Sequence, residues 1–416
     1  MAASAARRIA AAPAADSPFP DEILEEIFLR LGGAADLARA CAACASFLRV
    51  ITARPFLRRF RSLHAPPALG FLNTRGFHPA SPPHRSAPAA AALARDADFD
   101  FSFLPEPRLW TVADARGGAV LLSRPIPDNA EEFAELVVCD PLYRRYVLVP
   151  PIPDDLASSV KQRDRWRFSS FLLAPPAGEH DDGDDKEEGD RSRSFSLICA
   201  AVDRKSKAVA FVFRSGGGNG NWQRVANHSS SSRSPPLPRM LFHSDLHERS
   251  YAHGCFYWIV DPMGCSCYSL VLDTRDMKFT DIDLHLPRLS RRNYPRAIVD
   301  AGEGMLGLLT FGGSAIRLFR RTRRNDDASV GAEEWQLYRT ARLPKNCNGK
   351  DYDGWFTGGA ADVYSLVLAR ESRSSWQYHT LELKTLLFER LYVSDHTVVD
   401  NHLYVRFPPL LAPPCI

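Results

Sequence analysis

Hydrophobic positions along the chain change period once. Between residues 19 and 60 they recur every three or four residues, the helical spacing; from about residue 108 onward they alternate or form short runs, the strand spacing. In the first stretch Ile23, Leu24, Ile27, Phe28 and Leu31 form one apolar stripe on an acidic segment. Pro20 sits where a first helical turn can spare its missing N–H, Asp21, Glu22, Glu25 and Glu26 place negative charge towards the positive end of the helix, and Gly32-Gly33 stops it. A second helix is predicted from near Asp36, carrying Leu37 and the small residues Ala38, Ala40, Cys41, Ala42, Ala43 and Cys44. These let a third helix with Phe47, Leu48, Val50 and Ile51 approach closely, and Arg54-Pro55 closes the unit. The expectation is a three-helix domain over residues 19–63. A unit of about forty residues buries too little surface to be secure alone, so it needs a packed neighbour.

Residues 64–107 hold Pro66-Pro67, Pro82-Pro83, Pro88, Pro105 and Pro107 among many alanines, which predicts a linker, with Leu69–Leu72 and Phe99–Leu104 able to dock as short extended pieces. Beyond it, apolar or alternating runs such as Ala119–Leu122, Leu136–Cys139, Phe195–Val202, Ala208–Phe213, Cys255–Val260, Met305–Phe311 and Tyr378–Leu383 predict many short strands and few helices. Three pieces recur. A turn feeds a strand at Gly117-Gly118, His253-Gly254 and Gly302 to Gly304, and at Asp400-Asn401. A strand, polar turn and aromatic restart follow at Cys139-Asp140-Pro141 into Arg145-Tyr146, Leu272-Asp273-Thr274 into Lys278-Phe279, and Leu383-Lys384-Thr385 into Phe388. Proline closes the unit at Pro150-Pro151, Pro287, Pro344 and Pro408-Pro409. Asp140 can accept a hydrogen bond from the backbone two residues on, and Pro141 presets the next turn dihedral. Repeats of this kind, with residues 176–194 and 214–236 as insertions, predict a β-propeller of roughly five to eight blades over residues 108–416. A kelch propeller and a two-sheet sandwich are the alternatives; the pairs Gly117-Gly118, Gly312-Gly313 and Gly358-Gly359 lack regular kelch spacing.

Residues 19–60 resemble an F-box. The match lies in Phe19-Pro20-Asp21-Glu22-Ile23-Leu24, in Ile27-Phe28 followed by Arg30-Leu31, in Asp36-Leu37, and in Cys44 three residues before the aromatic Phe47. The resemblance implies docking on the Skp adaptor of cullin-based ubiquitin ligases through Phe19, Pro20, Ile23, Leu24, Ile27, Leu31 and Leu37, some of which must also hold the unit together. Ala45 and Phe47 depart from the family's usual basic residue and tryptophan, which implies weaker docking. Residues 137–151 are similar to the F-box-associated propeller common in large plant families, in which a hydrophobic strand, Asp or Asn, Pro, a basic residue and a Pro-Pro pair recur.

Composition adds limits. With 416 residues, 45% hydrophobic and 24% charged, the chain is of ordinary globular make-up, and a net charge of +3 does not argue for nucleic acid. No run of about eighteen apolar residues predicts a membrane span. Nine cysteines at scattered spacing suggest reduced thiols, and hence cytoplasm or nucleus, while residues 1–18 read as a disordered tail in preference to a transit peptide. Cys41 with Cys44, and Cys265 with Cys267, lack partners at zinc spacing, the acidic run 181–190 lacks the ligand order of a calcium loop, and Gly216–Gly218 lacks the Walker continuation, so no metal or cofactor is expected. Ser229–Ser232 read as polar spacer. Arg317, Arg320, Arg321, Arg323 and Arg324 form the strongest basic cluster, which reads as one strand's solvent face running into a charged loop, with a nuclear import signal or a patch for acidic ligands as the alternatives. Arg291, Arg292 and Tyr294 are the expected target-binding loop, because Arg and Tyr are favoured anchors on exposed loops.

Together these features predict a non-catalytic substrate receptor of an SCF-type ligase, with the helical unit on the adaptor and the propeller on an unknown target protein. The alternatives are a propeller enzyme or glycan-binding protein with structural N-terminal helices, and a non-ligase F-box scaffold.

Overall fold

The computed structural model describes residues 19–124, 133–158, 167–173, 195–202, 208–215, 220–228, 249–260, 268–284, 294–312, 315–323, 333–342, 364–372, 375–396, 401–409, 411, 415 and 416. They form two compact units. One comprises residues up to Pro67 together with Arg406–Pro413, the other Ala68–Val405 with Pro414–Ile416.

The first unit has four helices: α1 (Asp21–Leu29), α2 (Ala34–Ala43), α3 (Ala45–Thr52) and α4 (Arg54–Leu63). Pro20 caps α1, its carbonyl accepting from the N–H groups of Ile23 and Leu24 at 3.1 and 3.2 Å. The expected three-helix unit gains a helix because Arg54-Pro55 opens α4 instead of closing the domain. Proline is tolerated in a first turn, where no N–H partner is lost, and Phe56 and Phe60, four apart, then share the buried face. The core joins Leu24, Phe28, Leu37, Val50, Ile51, Phe56 and Phe60 with Phe407 and Leu411. Phe28 meets Phe47 edge-on at 5.2 Å and Phe56 at 6.4 Å, and Phe60 meets Phe407 at 6.2 Å. Residues 406–413 therefore belong with the helices, not with the propeller as the sequence predicted. Arg61 Nε donates to the Leu411 carbonyl at 2.8 Å and the Arg406 N–H to that of Pro67 at 3.3 Å.

In the second unit the expected linker is structure. It contains β1 (Ala68–Asn73), β2 (Gly76–Pro79) and α5 (Ala87–Asp96). Five antiparallel meanders follow, each the strand arrangement of a propeller blade: β3 (Thr111–Arg116), β4 (Ala119–Arg124), β5 (Glu135–Asp140) and β6 (Arg145–Val149), then β7 (Arg167–Leu173), β8 (Ser196–Val202), β9 (Ala208–Arg214) and β10 (Asn221–His228). The third holds β11 (Arg249–Ala252), β12 (Cys255–Val260), β13 (Tyr268–Asp273) and β14 (Lys278–Asp283), the fourth β15 (Tyr294–Asp300), β16 (Leu306–Gly312), β17 (Ala315–Arg323) and β18 (Glu333–Arg342). The fifth shows β19 (Tyr364–Ser372), β20 (Ser375–Glu382) and β21 (Leu387–Ser394). A sixth, three-stranded sheet runs β2-β1-β22, where β22 is His402–Val405. The second predicted insertion, 214–236, contains β10, while residues 176–194 lie outside the described residues.

Period two decides how blades pack. In β5, Leu136 and Val138 join a core shared with the second blade, whereas Val137 and Cys139 join one shared with the sixth sheet and the fifth blade. The second blade repeats this: Leu197 and Cys199 face the first blade, Ile198 and Ala200 the third. Further cores join the third blade to the fourth and the fourth to the fifth. Middle strands are thus buried on both faces, which is why they read as continuous apolar runs. Tryptophans add latches between blades: Trp222 Nε1 donates to the Pro150 carbonyl at 2.7 Å, and Trp335 Nε1 to that of Leu284.

The predicted turns form. Leu142 N–H donates to Asp140 Oδ1 at 3.1 Å, and Arg275 N–H to Asp273 Oδ1 at 2.8 Å. Strand register sets Asp140 opposite Arg145, Asp273 opposite Lys278 and Glu382 opposite Leu387, so Glu382, not Lys384, holds the equivalent place in the fifth blade. Each four-residue loop ends in a left-handed residue, Arg144, Met277 or Leu386. Two-residue turns at Gly117-Gly118 and His253-Gly254 have positive φ throughout, the geometry that suits strand twist.

The sixth sheet fastens the start of the unit to its end. β1 is buried at all six positions and pairs with β2 on one side and β22 on the other. Phe71 stacks on Tyr378 at 4.2 Å, Asn73 Nδ2 donates to Asn401 Oδ1 at 3.1 Å, and Tyr404 Oη donates to the Gly118 carbonyl at 3.1 Å. Next to it, His84 Nδ1 accepts the Ser86 N–H at 3.1 Å, so Nε2 carries the proton and donates to Thr380 Oγ1 at 3.1 Å. Burial, helped by the neighbouring Arg85 charge, pushes the His84 pKa down to about 4. Arg85 is itself held by Glu382 at 3.3 Å and Glu389 at 2.9 Å.

Two outcomes test this closure. Gly70 lies at φ +155°, and a Cβ there would stand 2.3 Å from the His78 carbonyl oxygen; Gly70→Ala should cost about 2–3 kcal/mol in chemical denaturation of the full chain. Because the folded imidazole titrates lower than an unfolded one, near pH 6.5, its stabilising contribution is complete above about pH 6.5 and fades as pH falls towards 4. The gap in melting temperature between the native chain and His84→Asn should therefore narrow between pH 7 and 4.

Candidate partner-binding surface

Helix α1 sorts its apolar residues into two sets. Leu24, Phe28 and Leu29 turn into the core, while Ile23 and Ile27 remain 47% and 45% exposed, with Phe19, four residues earlier, 54% exposed. Spacing of i and i+4 places Ile23 and Ile27 in one row on α1, and Phe19 and Pro20, also exposed, lie just before its first turn. The row is flanked by ion pairs. Arg49 donates to both carboxylate oxygens of Asp21 at 2.6 and 2.8 Å, which holds the Asp21 carboxyl below its usual range, and Arg59 meets Glu26 at 2.6 Å. These exposed pairs tie α1 to α3 and α4 and leave the apolar row open. Leu48 on α3 is also 40% exposed.

The residues implied by the F-box resemblance divide accordingly. Phe19, Pro20, Ile23 and Ile27 lie on the surface, Leu31 is half-buried, and Leu24 and Leu37 are core residues with 3% and 0% exposure. Leu24 and Leu37 hold the unit together and offer no contact face. Cys41 is buried among the same residues, and burial raises its thiol pKa; Cys44 is half-buried between α2 and α3. Cys265, Cys267, the acidic run 181–190, Gly216–Gly218 and Ser229–Ser232 lie outside the described residues.

On the propeller, Arg291 and Arg292 lie outside the described residues, and Tyr294 is the first residue of β15, paired with Phe311. Of the basic cluster, Arg320 Nε and Nη2 donate to the Ala301 carbonyl at 3.1 and 2.6 Å and its guanidinium covers Tyr338, while Arg321 lies 5.9 Å from Trp335. Arg324 is outside the described residues. Sequence reading missed a charged group on the first strands of successive blades. Asp114 Oδ1 pairs with Arg249 at 2.9 Å, its Oδ2 accepts the Leu172 N–H at 2.8 Å, and His402 stands 3.8 Å away. Arg249 also covers Phe171 at 4.4 Å, and burial lowers its pKa. No local signal marks this group, since its members come from β3, β7, β11 and β22. Among the described residues no group of three or more His, Cys, Asp or Glu could hold a metal ion, and no helix is long and apolar enough to cross a membrane.

Fold and surface define a β-propeller protein with an additional helical unit that carries an exposed apolar row. No family model matches the sequence, and no curated protein matches it. Among solved structures, prolyl oligopeptidase B from Galerina marginata superposes with TM-score 0.32 and 9% identity over 67% of this chain and 33% of that one. The WD40 domain of SCAP from fission yeast gives 0.29 and 10% over 68% and 52%, and the arabinobiose-bound GH93 α-L-arabinofuranosidase of Fusarium graminearum 0.32 and 10% over 74% and 86%. The chain spans about a third of the length of that prolyl oligopeptidase and of a post-proline cleaving enzyme from Rickettsia typhi. At such TM-scores these likenesses carry no argument about its activity.

The division of α1 predicts opposite responses on its two sides. Leu24→Ala should cost about 2–4 kcal/mol through the cavity it leaves, whereas Ile23→Ser or Ile27→Ser should stay within about 0.5 kcal/mol. Denaturant titration of the full chain followed by far-UV circular dichroism measures both.

Proposed function

We propose that this chain is a substrate receptor of an SCF-type ubiquitin ligase, docking on a Skp adaptor, and through it on cullin, by the exposed row of α1 while its propeller captures a target protein. The observation that carries this reading is that the residues matching the F-box pattern leave Phe19, Pro20, Ile23 and Ile27 uncovered on a helical unit whose core is complete without them. An apolar row of that kind fits a partner groove better than water.

Under this reading the chain contributes position and no catalytic group. Holding a target beside a ubiquitin-charged enzyme raises the effective concentration of the reacting lysine, so the chemistry belongs to the partner. The place of work is then the cytoplasm or nucleus, where such ligases act. Phe47, at the place where the resemblance expects tryptophan, packs on Phe28 inside the unit, so its departure alters the core more than the row.

Co-purification of the full chain with a Skp adaptor tests the proposal. The native chain should retain the adaptor, and Ile23→Asp with Ile27→Asp should weaken retention by about tenfold or more without loss of helical signal, since a buried contact cannot accept an unpaired carboxylate. Retention unchanged by the double substitution, or no retention by the native chain, would overturn it.

A further inference from the structure

The core of the helical unit includes two residues from far along the chain. Phe407 and Leu411, 9% and 0% exposed, lie in one apolar cluster with Leu24, Phe28 and Leu29 of α1 and with Phe56 and Phe60 of α4. Rings link them step by step: Phe407 meets Phe60 at 6.2 Å, Phe60 stacks on Phe56 at 6.0 Å, and Phe56 meets Phe28 of α1 edge-on at 6.4 Å. The last turn of α4 is where this segment and α1 come together. Arg61 Nε donates to the Leu411 carbonyl at 2.8 Å, across 350 positions of sequence, and His64 Nε2, its ring stacked on Phe60, donates to the Leu29 carbonyl at the end of α1 at 2.7 Å.

Four helices of eight to ten residues bury little surface between them, so a fully buried leucine and an interlocked ring carry a large share of the unit's stability. The exposed side of α1 is ordered only while its opposite side is packed. Ile23 and Ile27 stand outward in a fixed row because Leu24 and Phe28, the residues that follow them, are held inside. When such a unit opens, its apparent affinity for a partner falls with the fraction of chains that remain ordered.

We infer that Phe407 and Leu411 are positioning residues of the adaptor-docking surface, so that residues 19–67 present the row of α1 only while residues 406–411 are packed on them. A chain cut short before residue 406 keeps every residue of the F-box resemblance and loses the surface. The inference rests on the receptor reading for the identity of the partner; the order of the helical unit is measured without it.

Leu411→Ser in the full chain is the test, read by hydrogen–deuterium exchange with mass spectrometry and by retention of a purified Skp adaptor. Without adaptor, α1 and α4 should exchange about tenfold faster or more, while β4 and β5 keep native protection because their partners lie in the propeller. Adaptor retention should fall by about tenfold or more, and Leu411→Met, which refills the site, should restore it. Adaptor added to the native chain should slow exchange of residues 406–411, since a ligand stabilises the whole unit it requires. Unchanged exchange in α1 and α4, unchanged retention, or adaptor binding that leaves residues 406–411 exchanging as before would each overturn the proposal. So would loss of protection in β4 and β5, which would make the segment a support of the whole chain. These failures leave the receptor reading standing when the native chain retains adaptor. No retention by the native chain, with the exchange effect present, overturns the receptor reading and the docking role with it.

Discussion

The pairing of β1 with β22 is the constraint on which the propeller depends. Every other sheet is a meander of consecutive strands, and each could form from its own stretch of chain. The sixth alone takes strands from both ends of the unit, and its core spans the fifth blade, the sixth sheet and the first blade through Tyr378, Phe71, Tyr404 and Val137. Without it the first and fifth blades would each expose one apolar face. The bulge between Ala68 and Gly70, where only glycine lets the strand pass the His78 carbonyl, is the local device that fits β1 into place.

What the sequence disclosed follows the range of the interactions. Asp140 and Asp273 were legible because each bonds the backbone two residues on, and the glycine turns because positive φ is a property of single residues. The switch from helical to strand period marked the two kinds of architecture for the same reason. The extended piece expected at Leu69–Leu72 lies in β1, but its place in a sheet was not legible, because it stands among prolines and its partner lies at the far end of the unit; α4 escaped because Arg54-Pro55 reads equally as an end or a beginning. On α1 the periodic stripe was clear, but the split between Leu24 inside and Ile23 outside depends on which face α2, α3 and α4 cover.

The group around Asp114 shows a cost accepted for order. A buried ion pair gains little over apolar packing, but removing one member leaves an uncompensated charge. Because Asp114 engages Arg249 of β11 and the Leu172 N–H of β7 together, the first strands of three blades are held in one register by one carboxylate. Packing of aliphatic side chains alone would tolerate small slips between blades.

The sixth sheet also bears on synthesis. A ribosome releases β1 before any blade and releases β22 only after all of them, so the six buried residues Ala68–Asn73 wait, with one free edge, for almost the whole propeller to be translated. Pairings between such distant segments form slowly, and an apolar strand left open meanwhile invites association with other chains. Cells making this protein therefore face a window of aggregation that lengthens with every residue between the two strands, and slower translation or scarce chaperone would lower its yield before it altered its final stability.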